Sequence, residues 1–239
     1  MEKFDYYGFS GYNFIFDGLN AKIVKPNCTP NGKWIYKTEY FSAFPSAEIE
    51  FLNRGYHLLF NENYTRWAPD SDISRKVEFI KFVSKEFNLD KKCILVGMSC
   101  GGMYAVKLTA KAPELISAMY IDAPVMNLLS CPCDLGIAKS NLFEEYYRVM
   151  KVSKSELLSY RENPIDVMHV LIENDIPVVL VSGDSDYIVP YVENGYHLEK
   201  LYKENGGRIK VYIKPGANHH PHGLDDPNII VNDIEGFIL

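Results

Sequence analysis

Apolar and polar positions alternate with a period of two near the start of the chain and shift to a period of three to four further on. The runs YNFIF and AKIVK flank Asp17-Gly18, a pair suited to a tight hairpin turn, so the chain is expected to open in antiparallel β structure. Trp34 to Tyr40 reads as a further strand, Pro45 to Arg54 as a helix stopped by Gly55, and Tyr56 to Phe60 as the next strand. Ile73, Val77, Ile80, Val83 and Phe87 then recur at helical spacing behind the capping candidates Asp70 and Ser71, which predicts an amphipathic helix facing a sheet.

Cys93 to Val96 is a wholly apolar run of buried-strand type; a helix from about Gly102 to Ala112, ended by Pro113, and a strand from Ser117 to Ile121 follow it. From about Val125 to Asn163 the alternation breaks. This stretch reads as a small helical lid, with Asn141 to Met150 and Lys154 to Arg161 as short helices, the second opened by a capping box of Ser153 and Glu156. Alternation resumes with a helix over 164–174 capped by Asn163, a β-branched strand over 177–182, a helix over 192–203, a last strand over 208–214 and a helix from Pro227. The order predicts an α/β fold: a mostly parallel, doubly wound sheet with N-terminal antiparallel strands, one domain over 1–239 with 125–163 as an insertion. In such sheets ligand sites lie beyond the carboxyl ends of the strands, so chemistry is sought in the loops that follow strands.

Composition narrows the partners. The chain has 239 residues, 47% hydrophobic and 23% charged, enough for one sizeable core. A net charge of -6 leaves no broad basic field, so no nucleic-acid partner is expected. The start MEKFDYYGFSGYNF is not of signal-peptide type and no apolar run reaches spanning length, so a cytoplasmic protein with no membrane partner is expected. Cys28, Cys93, Cys100, Cys131 and Cys133 are odd in number and lack framework spacing, which favours reduced thiols. The Cys131-Pro132-Cys133 pair is either packed loop side chains or a metal or redox pair; no second cysteine pair follows at zinc spacing.

The sharpest chemical signal is Gly97-Met98-Ser99-Cys100-Gly101-Gly102, set between the apolar strand CILV and a helical segment. A serine on so tight a strand-to-helix turn lifts its hydroxyl out of the sheet, and the glycines remove Cβ atoms that would meet neighbouring backbone. The helix behind it directs free N–H groups at the site, and the backbone N–H of Cys100 is the natural first donor to an oxyanion. A serine hydroxyl needs a base. His57 falls in a strand and His169 and His197 in helices, whereas His219, His220 and His222 share the loop after the last strand. His219, first after the PGAN turn, is the preferred base, with His220 and His222 as alternatives. The HHPH run could instead hold a metal, although no acidic or cysteine partner stands nearby at a recognisable spacing. For the carboxylate that orients the base, Asp186 in GDSDYIVP is preferred over Asp184, with Asp122 in IDAP as a weaker alternative.

In the elbow GMSCGG, the acid loop GDSDYIVP and the histidine loop PGANHH, with Ser, Asp and His in that chain order, the sequence resembles the α/β-hydrolase superfamily from about Trp34 to the end. It looks closest to small single-domain esterases and to the catalytic domains of prolyl-oligopeptidase-like peptidases. The resemblance implies an α/β-hydrolase fold, a Ser99–His219–Asp186 triad and acyl-enzyme chemistry without cofactor or metal. It also implies a second oxyanion donor from the loop after the third strand of the superfamily's sheet. An HG or HGGG pattern is usual there; this chain has IYKTEYF, which leaves the backbone N–H of Glu39 or Tyr40 as the candidate.

On that basis the expected activity is carboxylic ester hydrolysis of a small or carbohydrate-linked ester, favoured over amide cleavage because the lid is small and no propeller-like domain screens the site. A peptidase or amidase with the same triad is the alternative, and a non-catalytic binding protein on a hydrolase scaffold is the rival from another class. Trp67, Tyr64, Tyr146 and Tyr147 either line an aromatic entrance or simply pack. The oligomeric state is left open.

Overall fold

A computed structural model describes residues 1–238. The N-terminal alternation becomes the antiparallel strands β2 (Phe9–Phe16) and β3 (Leu19–Val24), joined at Asp17-Gly18 as the hairpin pattern required, and an unpredicted strand β1 (Glu2–Tyr6) pairs outside them with β2. β4 (Trp34–Lys37), α1 (Ser46–Asn53), β5 (His57–Asn61), α2 (Asp70–Glu86), β6 (Cys93–Met98), α3 (Cys100–Lys111) and β7 (Ile116–Asp122) follow. After the segment over 125–163, which carries α4 (Phe143–Met150) and α5 (Lys154–Ser159), come α6 (Pro164–Val167), α7 (His169–Glu173), β8 (Val178–Gly183), α8 (Gly195–Glu204), β9 (Ile209–Lys214) and α9 (Pro227–Ile238).

Nine strands form one sheet in the order β1-β2-β3-β5-β4-β6-β7-β8-β9, antiparallel through the β3–β5 pair and parallel from there on. This is an α/β-hydrolase fold. Successive residues of the central strands feed opposite cores because side chains alternate across a pleated strand. Tyr36, Leu95, Met119, Ile121 and Leu180 join the core beneath α2, α3 and α8, while Ile35, Ile94, Val96, Tyr120 and Val181 meet α1 and α9 on the other face. Burying both faces explains why these strands read as continuous apolar runs.

Several boundaries differ from the sequence reading for identifiable reasons. β1 escapes a hydrophobic template because it is an outer strand whose residues are mostly exposed. The strand from Trp34 stops at Lys37, and by Tyr40 the backbone has turned to φ 54. Pro69 occupies the N-cap of α2 with no side-chain cap; Asp70 is its first helical residue and reaches Lys107 Nζ at 3.6 Å instead. The helix expected over 164–174 is two short ones meeting at Met168. The helix expected from Val192 starts at Gly195, after a single 3-10 turn, with Asn194 turned to another task.

That task is anchoring the segment over 125–163. Asn194 Oδ1 accepts the N–H groups of Met126 at 2.9 Å and Asn127 at 3.1 Å, and Asn163 Oδ1 accepts Leu128 N–H at 3.1 Å. Buried backbone in an irregular stretch must find partners, and two buried amides supply them. The capping box expected at Ser153 and Glu156 is present. Val125, Met126, Leu128, Cys131, Cys133, Tyr146 and Leu157 pack into the main core, so this segment rests on the sheet's carboxyl edge as an apolar extension of it.

Candidate active site

β6 delivers the elbow. Ser99 has φ 54 and ψ -120, a conformation costly for a side-chain-bearing residue by about 1–3 kcal/mol, and two backbone bonds hold it there. Ser99 N–H donates to Asp122 O at 2.9 Å and Ser99 O accepts Val125 N–H at 3.0 Å, locking the turn to the end of β7. A Cβ on Gly97 would stand 2.4 Å from Gly101 O, and one on Gly102 would stand 2.4 Å from Pro124 Cβ. Both glycines are therefore required by close approach.

His219 and Asp186 converge on this serine from β9 and β8. His219 Nε2 lies 3.0 Å from Ser99 Oγ, and His219 Nδ1 lies 2.7 Å from Asp186 Oδ2. Asp186 Oδ1 accepts the N–H groups of Ile188 and Val189, both at 2.9 Å, so its second oxygen is fixed on the imidazole. Asp186 and His219 are buried, which keeps water from competing for these bonds. A carboxylate at Nδ1 draws the ring proton there and leaves the Nε2 lone pair for the serine hydroxyl.

The alternatives have other partners. Asp184 is exposed and accepts Gly216 N–H at 2.7 Å, tying together the two loops that bring Asp186 and His219 into range. Asp122 is buried and holds His222: Oδ1 lies 2.7 Å from His222 Nδ1, while Oδ2 accepts Gly223 N–H at 2.7 Å and Tyr120 O–H at 3.1 Å. This second histidine–carboxylate pair was not foreseen; the partners lie 100 residues apart, and only the folded sheet brings the end of β7 and the loop after β9 together. His220 is exposed, stacks on Phe44 with ring centres 5.3 Å apart, and has its pKa lowered by partial burial and by His219 and His222 beside it. His57 is buried within β5, and His169 and His197 lie on α7 and α8, as expected.

Beside Ser99 opens a cavity of about 350 Å³ walled by Tyr40, Phe44, Arg66, Met98, Leu142 and Ile188. Arg66 is held by Glu145, which accepts its Nε–H at 2.7 Å; that bond raises the guanidinium pKa and lowers the carboxyl's. Among the described residues no side-chain carboxylate lines the cavity. Burial pushes the Cys100 thiol up to about 11, leaving it a neutral packing group. Cys131 and Cys133 are buried free thiols, also raised by burial, and all five cysteines are unpaired. Trp67 and Tyr146 are buried edge to face at 5.2 Å, Tyr64 and Tyr147 are exposed, and none of the four lines the cavity.

Of the oxyanion candidates, Cys100 starts α3, where an N–H has no intrahelical acceptor. Tyr40 N–H donates to Glu39 Oε1 at 3.3 Å, whereas Glu39 N stands 3.6 Å from where a Gly101 Cβ would be, against the elbow. Beneath them Lys37, at the end of β4, pairs with Glu48 of α1 with both side chains fully buried, and its Nζ donates to Ala43 O at 3.2 Å.

A model of the prolyl oligopeptidase family matches residues 54–238. The chain belongs to the prolyl oligopeptidase family. It is thus a member of the α/β-hydrolase superfamily. It is 28% identical over 147 residues to the acylamino-acid-releasing enzyme of Arabidopsis thaliana, covering 60% of this chain and 18% of that protein. In fold it is similar to a Bacteroides ovatus protein assigned as a dipeptidyl aminopeptidase IV (TM-score 0.71, 16% identity, 96% of this chain and 36% of that one). A Pyrococcus horikoshii acylaminoacyl peptidase superposes with TM-score 0.68 and 14% identity over 90% of this chain and 40% of its own. The chain therefore spans well under half the length of these relatives. Among the described residues no helix is long and apolar enough to cross a membrane.

Proposed function

We propose that this family member cleaves acyl–amide bonds next to a blocked amino terminus, acting on short N-acylated peptides or amino-acid amides. The observation that carries the chemistry is the unbroken chain Asp186–His219–Ser99, with contacts of 2.7 and 3.0 Å. Ser99 Oγ attacks the carbonyl carbon as its proton passes to His219 Nε2, and Asp186 stabilises the imidazolium. The backbone N–H groups of Cys100 and Glu39 receive the oxyanion. His219 then protonates the leaving amine, and water attacks the acyl-Ser99 ester with His219 again as base, releasing the acid.

Family membership and the acylamino-acid-releasing relative support an amide in place of the ester expected from the sequence. The cavity supports a blocked terminus: a free α-ammonium group is costly to desolvate without an anionic partner, and the described residues that line it include no carboxylate. Ester cleavage is the second reading, favoured by the small size of the cavity, about 350 Å³.

One chromophore presented as an N-acetylalanyl amide, a free alanyl-alanyl amide and a butyryl ester tests both readings, with fluorophosphonate labelling alongside. The expected result is labelling at Ser99 and a higher kcat/KM for the acetylated than for the free amide. Turnover of the ester alone would move the assignment to esterase, and no labelling of folded protein would move it to a binding protein on the hydrolase scaffold.

A further inference from the structure

We infer that His219, His220 and His222 form a binding site for a zinc-class divalent cation, and that its occupancy switches hydrolysis off by capping the base. The effect on hydrolysis rests on the proposed role of His219; the binding site does not.

Three observations carry it. First, each histidine offers a ring nitrogen, and the three nitrogens lie within 4.8 Å of one another. Three imidazoles at Zn–N distances of about 2.0–2.1 Å have nitrogens roughly 3.3 Å apart, so the cluster is about 1.5 Å wider than a filled site. His220 is exposed, so rotation of its side chain can shorten its own distances to the other two rings, whose mutual separation is set by their carboxylates.

Second, His219 and His222 each have a buried carboxylate at Nδ1, Asp186 and Asp122, both at 2.7 Å. Metal-bound imidazoles commonly donate their second N–H to a carboxylate, which fixes the tautomer and raises ligand basicity. Here both Nδ1 atoms face carboxylates, so Nε2 of each ring can ligate without loss of a proton, that of His219 in exchange for its hydrogen bond from Ser99 Oγ–H. The acidic partners missing from the local sequence are supplied by β7 and by the loop after β8 as support for the rings.

Third, His222 is 8% exposed and borders the cavity beside Ser99, as do His219 and His220, so the site opens to a diffusing ion. Three imidazoles with an open fourth position suit zinc and its divalent neighbours better than calcium or magnesium, which prefer oxygen. On binding, Nε2 of His219 gives its lone pair to the cation, and its hydrogen bond from Ser99 Oγ–H is broken. Ser99 keeps its proton and is no longer a nucleophile. No electron or proton is transferred, so a chelator reverses the inhibition.

The test separates binding from turnover. Cobalt(II), a spectroscopic stand-in for zinc, is titrated into the Ser99→Ala variant, which keeps all three histidines. A visible absorption band saturating at one ion per chain is expected, with affinity lowered roughly tenfold or more in Ser99→Ala/His220→Ala. Circular dichroism checks that the exposed His220 site tolerates alanine. In the wild type, zinc should inhibit turnover and EDTA restore it, and His220→Ala, measured against its own zinc-free rate, should need at least tenfold more zinc. Cobalt binding unchanged by His220→Ala, or absent from Ser99→Ala, overturns the site. Histidine-dependent cobalt binding in a chain that hydrolyses nothing leaves the site standing and removes the hydrolase reading; turnover indifferent to saturating zinc removes the inhibitory role.

Discussion

Two histidine–carboxylate pairs stand side by side at the carboxyl edge of the sheet, His219–Asp186 and His222–Asp122, each buried and each closed at 2.7 Å. They differ in what lies beyond the imidazole. His219 Nε2 meets Ser99 Oγ at 3.0 Å, whereas among the described residues His222 hydrogen-bonds only to Asp122, and its ring lies edge-on to His219 with centres 4.9 Å apart. The carboxylates differ too. Asp186 is held by two N–H groups of its own loop, while Asp122 ties a strand end to Tyr120 and to Gly223 in the histidine loop. The two pairs therefore differ in one feature, a hydroxyl at the far nitrogen, and only the pair that has it fits the base of the proposed mechanism.

The widest separation between the pairs should come from removing the reacting atoms. Ser99→Ala or His219→Ala is expected to lower kcat about 10⁶-fold, because the members of a triad act as a unit. His222→Ala should lower it less than about tenfold in protein that still folds. Single-turnover rates on the N-acetylalanyl amide measure this, and a loss beyond about 10³-fold in folded His222→Ala would erase the distinction.

The matched exchange Asp→Asn probes the carboxylates. Asp186→Asn keeps the shape but favours the wrong imidazole tautomer, and about a 10⁴-fold loss of kcat is expected with little change in stability. Asp122→Asn should show the opposite balance: unfolding free energy lower by about 1–3 kcal/mol, since three buried hydrogen bonds converge on that carboxylate, and kcat within about tenfold of wild type. Urea unfolding and steady-state kinetics on both variants decide it.

How far this was legible in the sequence depends on how local each signal is. The elbow, the hairpin at Asp17-Gly18 and the capping box at Ser153 and Glu156 are written in consecutive residues, so pattern alone locates them. His219 and Asp186 are preferred over their neighbours on the rule that strand ends share an edge, and the structure brings both within hydrogen-bond reach of one another and His219 within reach of Ser99. The His222–Asp122 pair, the Asn194 anchor of the insertion and the buried Lys37–Glu48 pair join residues that share no motif. Their meeting depends on register and crossover, which periodicity does not specify. Exposed β1 failed for another reason: an outer strand with few buried side chains has little hydrophobic pattern to read.

A subtler test keeps pH-rate profiles from confusing the two pairs. Lys76 of α2 is fully buried, with Nζ 3.2 Å from both Tyr36 Oη and Asn61 Oδ1, and burial lowers its pKa from 10.5 to about 7 against the opposing pull of Glu39 and Asp72. Between about pH 7 and 10.5 the unfolded chain holds a proton on this lysine that the folded chain lacks. Stability therefore rises with pH across that window, by at most about 1.4 kcal/mol per unit, and this gain disappears as pH falls through 7. Lys76→Met removes the titrating group but keeps the apolar stem, so the unfolding free energy of wild type relative to Lys76→Met should increase from pH 7 to pH 9. If that difference is flat with pH, Lys76 is charged in the folded state and its amine is better solvated than the packing implies. If it rises as expected, rate profiles in the Lys76→Met background lose this stability trend, and the remaining pH dependence can be compared directly between Asp186→Asn and Asp122→Asn.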